Sequence, residues 1–257
     1  MKRYYPWLMA VVGMLVLLVS NGLTVTGLTA FDESLLKDFG WSRSELKLRD
    51  LITLVLAGWM APFLGALIDK VGPRKLVLAG ITLLAALYAA YAHIHSLAHL
   101  YWIHVGFAAV LVAAGLNVAV IFVSQWFATH RGTAIGIALV GTSLGGMVFP
   151  KLGVHLMQSM DWRAALLWEA AIPLAFLILA FLFVRSPRPG GIQPWGADTL
   201  AAKAAAGKPA ASSLPDLSYQ QAMRTRTFWV LAFVAMTTFF SIMAVASNLF
   251  LHMRDLG

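Results

Sequence analysis

Long apolar blocks alternate with short polar segments along most of the chain. A helix needs about 20 apolar residues to cross the hydrocarbon of a bilayer, and these blocks reach that length. They are apolar on every face, whereas the strands of a transmembrane barrel alternate polar and apolar residues. The pattern predicts an all-α polytopic membrane protein with spans at residues 5–31, 48–68, 76–94, 97–127, 132–157, 164–184 and 228–251.

One polar segment, residues 185–222, is much longer than the others. It is rich in Ala, Pro, Gly, Ser and Lys, and it has too few large apolar groups to fold alone. We interpret it as a flexible cytoplasmic linker between two domains. The predicted organisation is a six-span transmembrane bundle at residues 1–184, the linker at 185–222, and span 7 at 223–257 as the start of an incomplete C-terminal bundle.

The composition agrees with a membrane protein and excludes several other classes. Hydrophobic residues make up 60% of the chain and charged residues 12%, whereas soluble domains carry about 25% charged residues. The net charge of +8 comes from loop residues without interleaved aromatic residues, so the expected partner is the lipid bilayer and not nucleic acid. Basic residues are more frequent in the segments on the same side of the membrane as the N-terminus, which predicts a cytoplasmic N-terminus. Without cysteine, disulfides and thiolate metal sites are excluded.

The loop between the second and third spans, residues 65–75, carries small and charged residues at regular spacing. These residues are Gly65, Asp69, Lys70, Gly72, Arg74 and Lys75. Asp69 can pair with a cation or face a helix N-terminus, and Gly72 permits a tight reversal. A generic hairpin with basic residues on the cytoplasmic side explains the charges, but it does not explain the spacing of the acid and the glycines. We therefore interpret this segment, called the gate loop below, as a gate.

The gate loop resembles the signature between spans 2 and 3 of the major facilitator superfamily of secondary transporters. This resemblance implies two six-helix bundles that rock about a midplane site by alternating access. It also implies a gating role for the loop and for Arg131, which follows span 4.

A second set of residues resembles the monocarboxylate-transporter and oxalate:formate-antiporter branch of that superfamily, in its bacterial-type subgroup. The set comprises Trp126, Phe127 and residues 39–45, 130–150, 161–164 and 252–257. This resemblance implies transport of a small organic anion, a mono- or dicarboxylate, by proton symport or exchange across a bacterial inner membrane. The alternatives are a permease for a neutral solute or drug, and a non-transporting truncated membrane protein. We expect the chain to be inactive without the missing C-terminal bundle.

The fifth span carries small residues and a proline, which predict a helix-packing face. These residues are Gly136, Gly141, Gly145, Gly146 and Pro150. Small residues let helices approach closely in lipid, where no hydrophobic drive brings them together. Two interpretations are open: the face slides against a span of the other half, or it packs statically within the N-terminal bundle. Pro150 is expected to kink the helix.

Three asparagines inside spans are candidates for contact with a substrate, because polar residues are costly in lipid. Asn21, Asn117 and Asn248 lie in spans 1, 4 and 7, which line the central cavity in the superfamily that the chain resembles. The alternative for each is an interhelical hydrogen bond, worth about 0.6 kcal/mol on average.

Charged residues near the spans have simpler interpretations. Lys151 is expected to extend outward and pair with Glu169, with a proton or anion site at either residue as the alternative. Arg49 and Asp50 are expected at the interface, which leaves no buried arginine. The phosphate-loop, hydrolase-elbow and zinc-helix motifs are absent, so neither enzyme activity, a cofactor nor a metal site is predicted.

Overall fold

The computed structural model describes residues 4–184, 192–199 and 219–255, and the side chains of residues 4–184, 192–199 and 221–241. The chain divides into two compact units, Met1–Ala202 and Lys203–Gly257. Within the described residues, six helical segments of the first unit are long and apolar enough to cross a membrane. The predicted all-α fold is confirmed.

The helices of the first unit follow the predicted spans closely. They are α1 Tyr5–Asn21, α2 Asp32–Phe39, α3 Arg43–Met60, α4 Leu64–Val71, α5 Pro73–Tyr91, α6 Leu97–Ala114, α7 Leu116–Ser124, α8 Arg131–Leu156 and α9 Trp162–Phe183. A 3₁₀ turn at Ala61–Phe63 joins α3 to α4. Loops at residues 40–42, 92–96 and 157–161 share one end of the bundle, called the Ser42 end. Gly72 and residues 125–130 lie at the opposite end, called the Gly72 end.

The first span is longer and less regular than the sequence predicted. After Asn21 the backbone passes through a π-helical turn, Gly22–Thr26, and a 3₁₀ turn, Gly27–Phe31, before α2 begins. A π-turn leaves backbone carbonyls without their usual helical partners, and the Tyr88 hydroxyl of α5 donates a hydrogen bond of 2.7 Å to the carbonyl of Leu23. We call residues 22–31 the irregular segment.

The fourth span is interrupted at Gly115, which separates α6 from α7 with an extended backbone. The Ser20 hydroxyl of α1 contacts the free carbonyl of Ala114 at 2.7 Å and also the carbonyl of Val16 at 2.8 Å. A buried carbonyl without a partner is costly, and Ser20 satisfies this one. The interruptions of the first and fourth spans are therefore neighbours.

The start of the second span lies five residues before the predicted start. Ser42 caps α3: its hydroxyl accepts a hydrogen bond from the backbone of Glu45, and the Glu45 carboxylate accepts one from the backbone of Ser42. This reciprocal capping box extends the helix into a polar sequence. Gly40 ends the preceding helix at φ 68°, a conformation that glycine adopts without strain.

Part of the predicted flexible linker is anchored to the first unit. The backbone N–H of Trp195 donates to the carbonyl of Trp126 at 2.8 Å, and the N–H of Ala128 donates to the carbonyl of Trp195 at 2.9 Å. The Trp195 ring lies 5.8 Å from that of Trp7. The described residues 192–199 thus hold a fixed position at the Gly72 end.

The second unit contains α10, Tyr219–Met223, and α11, Arg226–Asp255, in the described part. The Thr225 hydroxyl accepts a hydrogen bond of 3.2 Å from the backbone of Phe228 and caps the start of α11. The predicted seventh span lies in α11. Its described side chains are largely exposed and apolar, including Trp229, Phe233 and Phe240.

Candidate functional site

The gate loop reverses the chain between α4 and α5 at Gly72, where φ is 85°. A side chain is strained at that angle, and Pro73 immediately begins α5, which suits its fixed φ. Asp69 and Gly65 lie four residues apart on α4, so they share one face of that helix. Both are exposed, nothing lies within 4 Å of a Cβ placed on Gly65, and no partner for Asp69 occurs among the described residues. This face of α4 is open.

The basic residues of the gate loop differ in their contacts. Arg74 donates a hydrogen bond of 3.0 Å to the Phe181 carbonyl near the end of α9 and lies 5.5 Å from the Phe181 ring centre. Helix C-termini attract cations, so this contact joins α5 to α9 at the Gly72 end. Lys70 and Lys75 are exposed. The described residues contain no ion pair between Asp69 and any of these cations.

Arg131 begins α8 in the loop that also binds the linker. Its Nε donates to the Phe127 carbonyl at 2.6 Å, and the preceding residue, His130, adopts the left-handed conformation at φ 62°. The anchored Trp195 pairs with the same loop, because Phe127 forms a bridge with it. The structure thus brings Arg131 close to the linker, while the described contacts do not join it to Asp69.

A shallow cavity of about 310 Å³, largely open to its surroundings, lies between the second and fourth spans. It is lined by Ala61, Leu64, Gly65, Leu116, Asn117, Val120 and Ile121. Asn117 is exposed and is the single polar side chain in this lining. It lies in the first turn of α7, directly after the interruption at Gly115. The cavity therefore has the uncharged, hydrogen-bonding side chain of Asn117 on one wall. Its opposite wall is the open face of α4, which also carries Asp69.

The other two candidate asparagines are placed differently. Asn21 is half-buried, and its amide lies 3.4 Å from the Thr142 hydroxyl of α8, which is the interhelical bond offered as the alternative for this residue. It does not line the cavity. Asn248 lies in α11, but its side chain is outside the described residues.

Two of the five predicted packing residues make the closest contacts. A Cβ on Gly141 would overlap the Met14 carbonyl of α1, and a Cβ on Gly145 would lie 2.8 Å from the Cα of Gly22. Gly136 is exposed with nothing within 4 Å of such an atom. These contacts place Gly141 and Gly145 in the interior of the bundle.

The remaining two packing candidates lie further along α8. A Cβ on Gly146 would reach only the Thr26 side chain, at 3.7 Å. The helix continues through Pro150 to Leu156 without ending there.

A buried arginine at the Ser42 end shows that two expectations from the sequence are wrong: that Arg49 lies at the interface, and that the chain has no buried arginine. Arg49 is fully buried, whereas it was expected at the interface. It forms an ion pair with Asp32 of α2, donates a hydrogen bond of 2.6 Å to the Tyr91 hydroxyl, and lies 3.4 Å from Asp50. Lys47 also pairs with Asp32, at 2.7 Å. The span was predicted to begin at residue 48, which placed Arg49 at its edge. The capping box starts the helix at Arg43 and so carries Arg49 inward.

The expected pair between Lys151 and Glu169 is wrong. Lys151 is exposed, whereas Glu169 is fully buried. Both carboxyl oxygens of Glu169 lack a hydrogen-bond partner within the described part of the chain. A long, flexible lysine extends into the surroundings at little cost, so it does not follow the shorter glutamate into the bundle.

Metal binding finds no support in the described residues, where no cluster of three or more His, Asp or Glu side chains occurs. His95 and His99 have ring centres 6.4 Å apart at the Ser42 end, but no carboxylate among the described residues completes a metal-binding set.

The whole sequence decides the family. It matches the Major Facilitator Superfamily over residues 7–257. The chain belongs to the major facilitator superfamily. The resemblance carried by the gate loop is thereby confirmed, and the six apolar helices make this an integral, multi-pass membrane protein.

Individual relatives in the superfamily have different printed functions. The chain is 31% identical over 163 residues to the MFS-type transporter hasB of Aspergillus fumigatus, covering 62% of this chain and 35% of that protein. It is 33% identical over 195 residues to the methyl viologen resistance protein SmvA of Salmonella typhimurium, covering 73% and 38%. It is 34% identical over 122 residues to monocarboxylate transporter 13 of Bos taurus, covering 44% and 27%. The chain spans about a third of the length of these curated relatives.

Proposed function

We propose that this chain forms the N-terminal half of a secondary active transporter for a small organic anion, a mono- or dicarboxylate. The observation that carries the proposal is the cavity between the second and fourth spans, with Asn117 in its lining. It opens beside the gate loop, so a substrate bound at Asn117 lies next to the element that controls access. The coupling is proton symport or exchange, and the membrane is a bacterial inner membrane with the N-terminus in the cytoplasm.

Besides its substrate, the proposal gives this chain a second six-helix bundle as a partner. The open face of α4, with Gly65 and Asp69 exposed, supports it, because a gating element needs a surface to close against. In alternating access, one bundle rocks against the other around a central site. The 257-residue polypeptide alone is therefore inactive in transport.

A permease for a neutral solute or a drug is the second candidate. The described lining of the cavity contains no charged side chain, and a buried carboxylate needs a cation or several hydrogen bonds. SmvA, a methyl viologen resistance protein by name, is similar over 73% of the chain. Monocarboxylate transporter 13, by its name, favours the anion instead.

Uptake by proteoliposomes tests the proposal and separates the two candidates. The complete transporter, in which this chain is joined to a second bundle, is reconstituted into liposomes. A proton gradient is imposed across the liposome membrane, and labelled monocarboxylate, dicarboxylate or methyl viologen is added outside. We expect carboxylate uptake that falls about tenfold in an Asn117→Leu variant, the loss expected when about 1.4 kcal/mol of hydrogen bonding is removed. Asn21→Leu is the matched control and is expected to change stability more than substrate affinity.

Two results would contradict the proposal. Transport of methyl viologen without any carboxylate would favour the drug permease. Carboxylate uptake by the 257-residue polypeptide alone would remove the need for a second bundle.

A further inference from the structure

Glu169 is the ionisable residue whose buried position is least explained by the fold. It lies in the third turn of α9 and is fully buried. At a rise of 1.5 Å per residue it is about 10 Å from the start of α9, well inside the span. Both carboxyl oxygens lack a hydrogen-bond partner among the described side chains and backbone groups. The packing of α9 against its neighbours does not need an acid at this position.

The surroundings of Glu169 come from three elements, α8, the irregular segment and α5. Gly153 of α8 faces it, and a Cβ there would lie 3.2 Å from a Glu169 oxygen and 3.1 Å from the Phe31 ring of the irregular segment. Tyr88 of α5 is also fully buried, but its hydroxyl hydrogen is donated to the Leu23 carbonyl. Gly153 thus leaves the space that the carboxyl group occupies.

No described cation neutralises this carboxyl group. On α8, Lys151 and His155 flank Gly153 but both are exposed. On α9, Arg163 donates to the carbonyls of Ala92 and Ile94. Arg49 is committed to Asp32 and Tyr91. Asp32, next to Phe31, carries a negative charge and is paired with Arg49 and Lys47.

A carboxylate ion in such a place is very unfavourable, because a buried charge without a partner costs several kcal/mol. The neutral acid avoids that cost. We propose that Glu169 is a proton-binding residue of the transporter, protonated while the bundle is closed around it and deprotonated when water reaches it from the Ser42 end. In that step the Oε–H bond breaks and the proton passes to water, and the reverse step reloads the residue.

The irregular segment provides a route for this change, since it forms one wall of the Glu169 site through Phe31. The hydrogen bonds of a 3₁₀ turn have poorer geometry than those of an α-helix, so a shift of this wall disturbs weaker backbone bonds than a shift of α8 or α9. Opening the wall exposes the carboxyl group. The coupling of this proton to substrate movement rests on the proposed transport function, whereas the protonation state does not.

Infrared spectroscopy of labelled protein tests the protonation directly. The chain contains three glutamates, Glu33, Glu45 and Glu169, and the first two are exposed. With ¹³C at the glutamate side-chain carboxyl, the C=O band of a neutral acid is separated from carboxylate bands and from every aspartate. We expect the 257-residue chain in lipid nanodiscs to show one neutral glutamate at pH 7. The band should be absent in Glu169→Gln and retained in the matched control Glu45→Gln.

Transport then tests the role of that proton. In the complete transporter, Glu169→Gln should lose accumulation driven by a proton gradient while retaining exchange of labelled for unlabelled substrate, and Glu45→Gln should retain both. A wild-type spectrum without a neutral glutamate would overturn the proposal even if transport is observed. Full proton-driven accumulation by Glu169→Gln would also overturn it. The wild-type spectrum needs no variant, so it still decides the question if Glu169→Gln fails to fold.

Discussion

At the scale of single residues, the least expected feature is the burial of Arg49 with a set of polar partners. Its guanidinium is shared among Asp32, Tyr91 and Asp50, so the charge is compensated on several sides. Next to it, the Thr53 hydroxyl lies 2.8 Å from the His104 ring nitrogen and 3.1 Å from the Arg49 carbonyl. These contacts connect the first four spans at the Ser42 end.

The partners of Arg49 are predicted to contribute unequally to stability. Asp32→Asn removes the charge that neutralises a fully buried cation, so we expect the free energy of unfolding to fall by about 3 kcal/mol. Asp50→Asn is the matched control, because Asp50 has a longer contact and a side chain that is 41% exposed; we expect a change below about 1 kcal/mol. Denaturant unfolding in mixed micelles measures both.

The double variant Arg49→Met with Asp32→Asn completes this comparison. Replacing a buried ion pair by neutral groups is often tolerated, whereas removing one partner is not. We expect the double variant to recover part of the stability lost in Asp32→Asn. Equal losses in Asp32→Asn and Asp50→Asn would show that Arg49 does not depend on Asp32.

At the scale of helices, the contact between α1 and α8 depends on the absence of side chains. A Cβ on Gly145 of α8 would lie 2.4 Å from the Leu18 carbonyl of α1, and a Cβ on Gly22, directly after α1, would lie 2.6 Å from the Cα of Gly145. Close backbone approach is the main source of attraction between helices in lipid. Gly136 lies on the same helix, but no neighbouring atom lies within 4 Å of a Cβ placed on it.

Substitution by alanine separates these two kinds of glycine. Gly145→Ala should push α1 and α8 apart and lower the thermal stability by several degrees, since overpacking costs about 1–3 kcal/mol. Gly136→Ala should be neutral or stabilising by up to about 1 kcal/mol, because alanine favours a helix and meets no neighbour. Thermal unfolding in detergent measures both, and a destabilised Gly136→Ala with an unchanged Gly145→Ala would contradict this packing.

The sequence predicted the helices well because apolar length decides them, and it predicted their irregular parts poorly. The predicted spans match the helices because every block is long enough to cross a membrane. The turns at Gly22–Phe31 and the interruption at Gly115 depend on contacts with Tyr88 and Ser20, which are distant in sequence. The same limit applies to the site: the spacing of Asp69 and Gly72 is local, whereas the burial of Arg49 and Glu169 results from the packing of several spans.

At the scale of the whole molecule, the gate loop has one anchored part and one open part. Arg74 ties the loop to α9. Asp69 is exposed, so it is free to contact the second bundle that we propose. A carboxylate there is well suited to meet a cation or the N-terminus of a helix.

Asp69→Ala is predicted to impair transport by the complete protein and to leave membrane insertion and stability nearly unchanged. An exposed residue without a described partner contributes little to folding, whereas the loss of a contact made in only one conformation changes the balance between conformations. Asp161→Ala, an exposed carboxylate at the Ser42 end that makes no side-chain cap contact, is the matched control. Initial uptake rates measure the effect, and equal rates for wild type and Asp69→Ala would remove the gating role.

The hydrogen bond between Ser20 and Ala114 has a mechanical consequence. The first and fourth spans are both interrupted, and each interruption is a point at which a helix can bend. The bond joins them at 2.7 Å, and bending one span alone would leave a buried carbonyl without its donor, at a cost of about 1–3 kcal/mol. We therefore expect the first and fourth spans to bend together at these two positions.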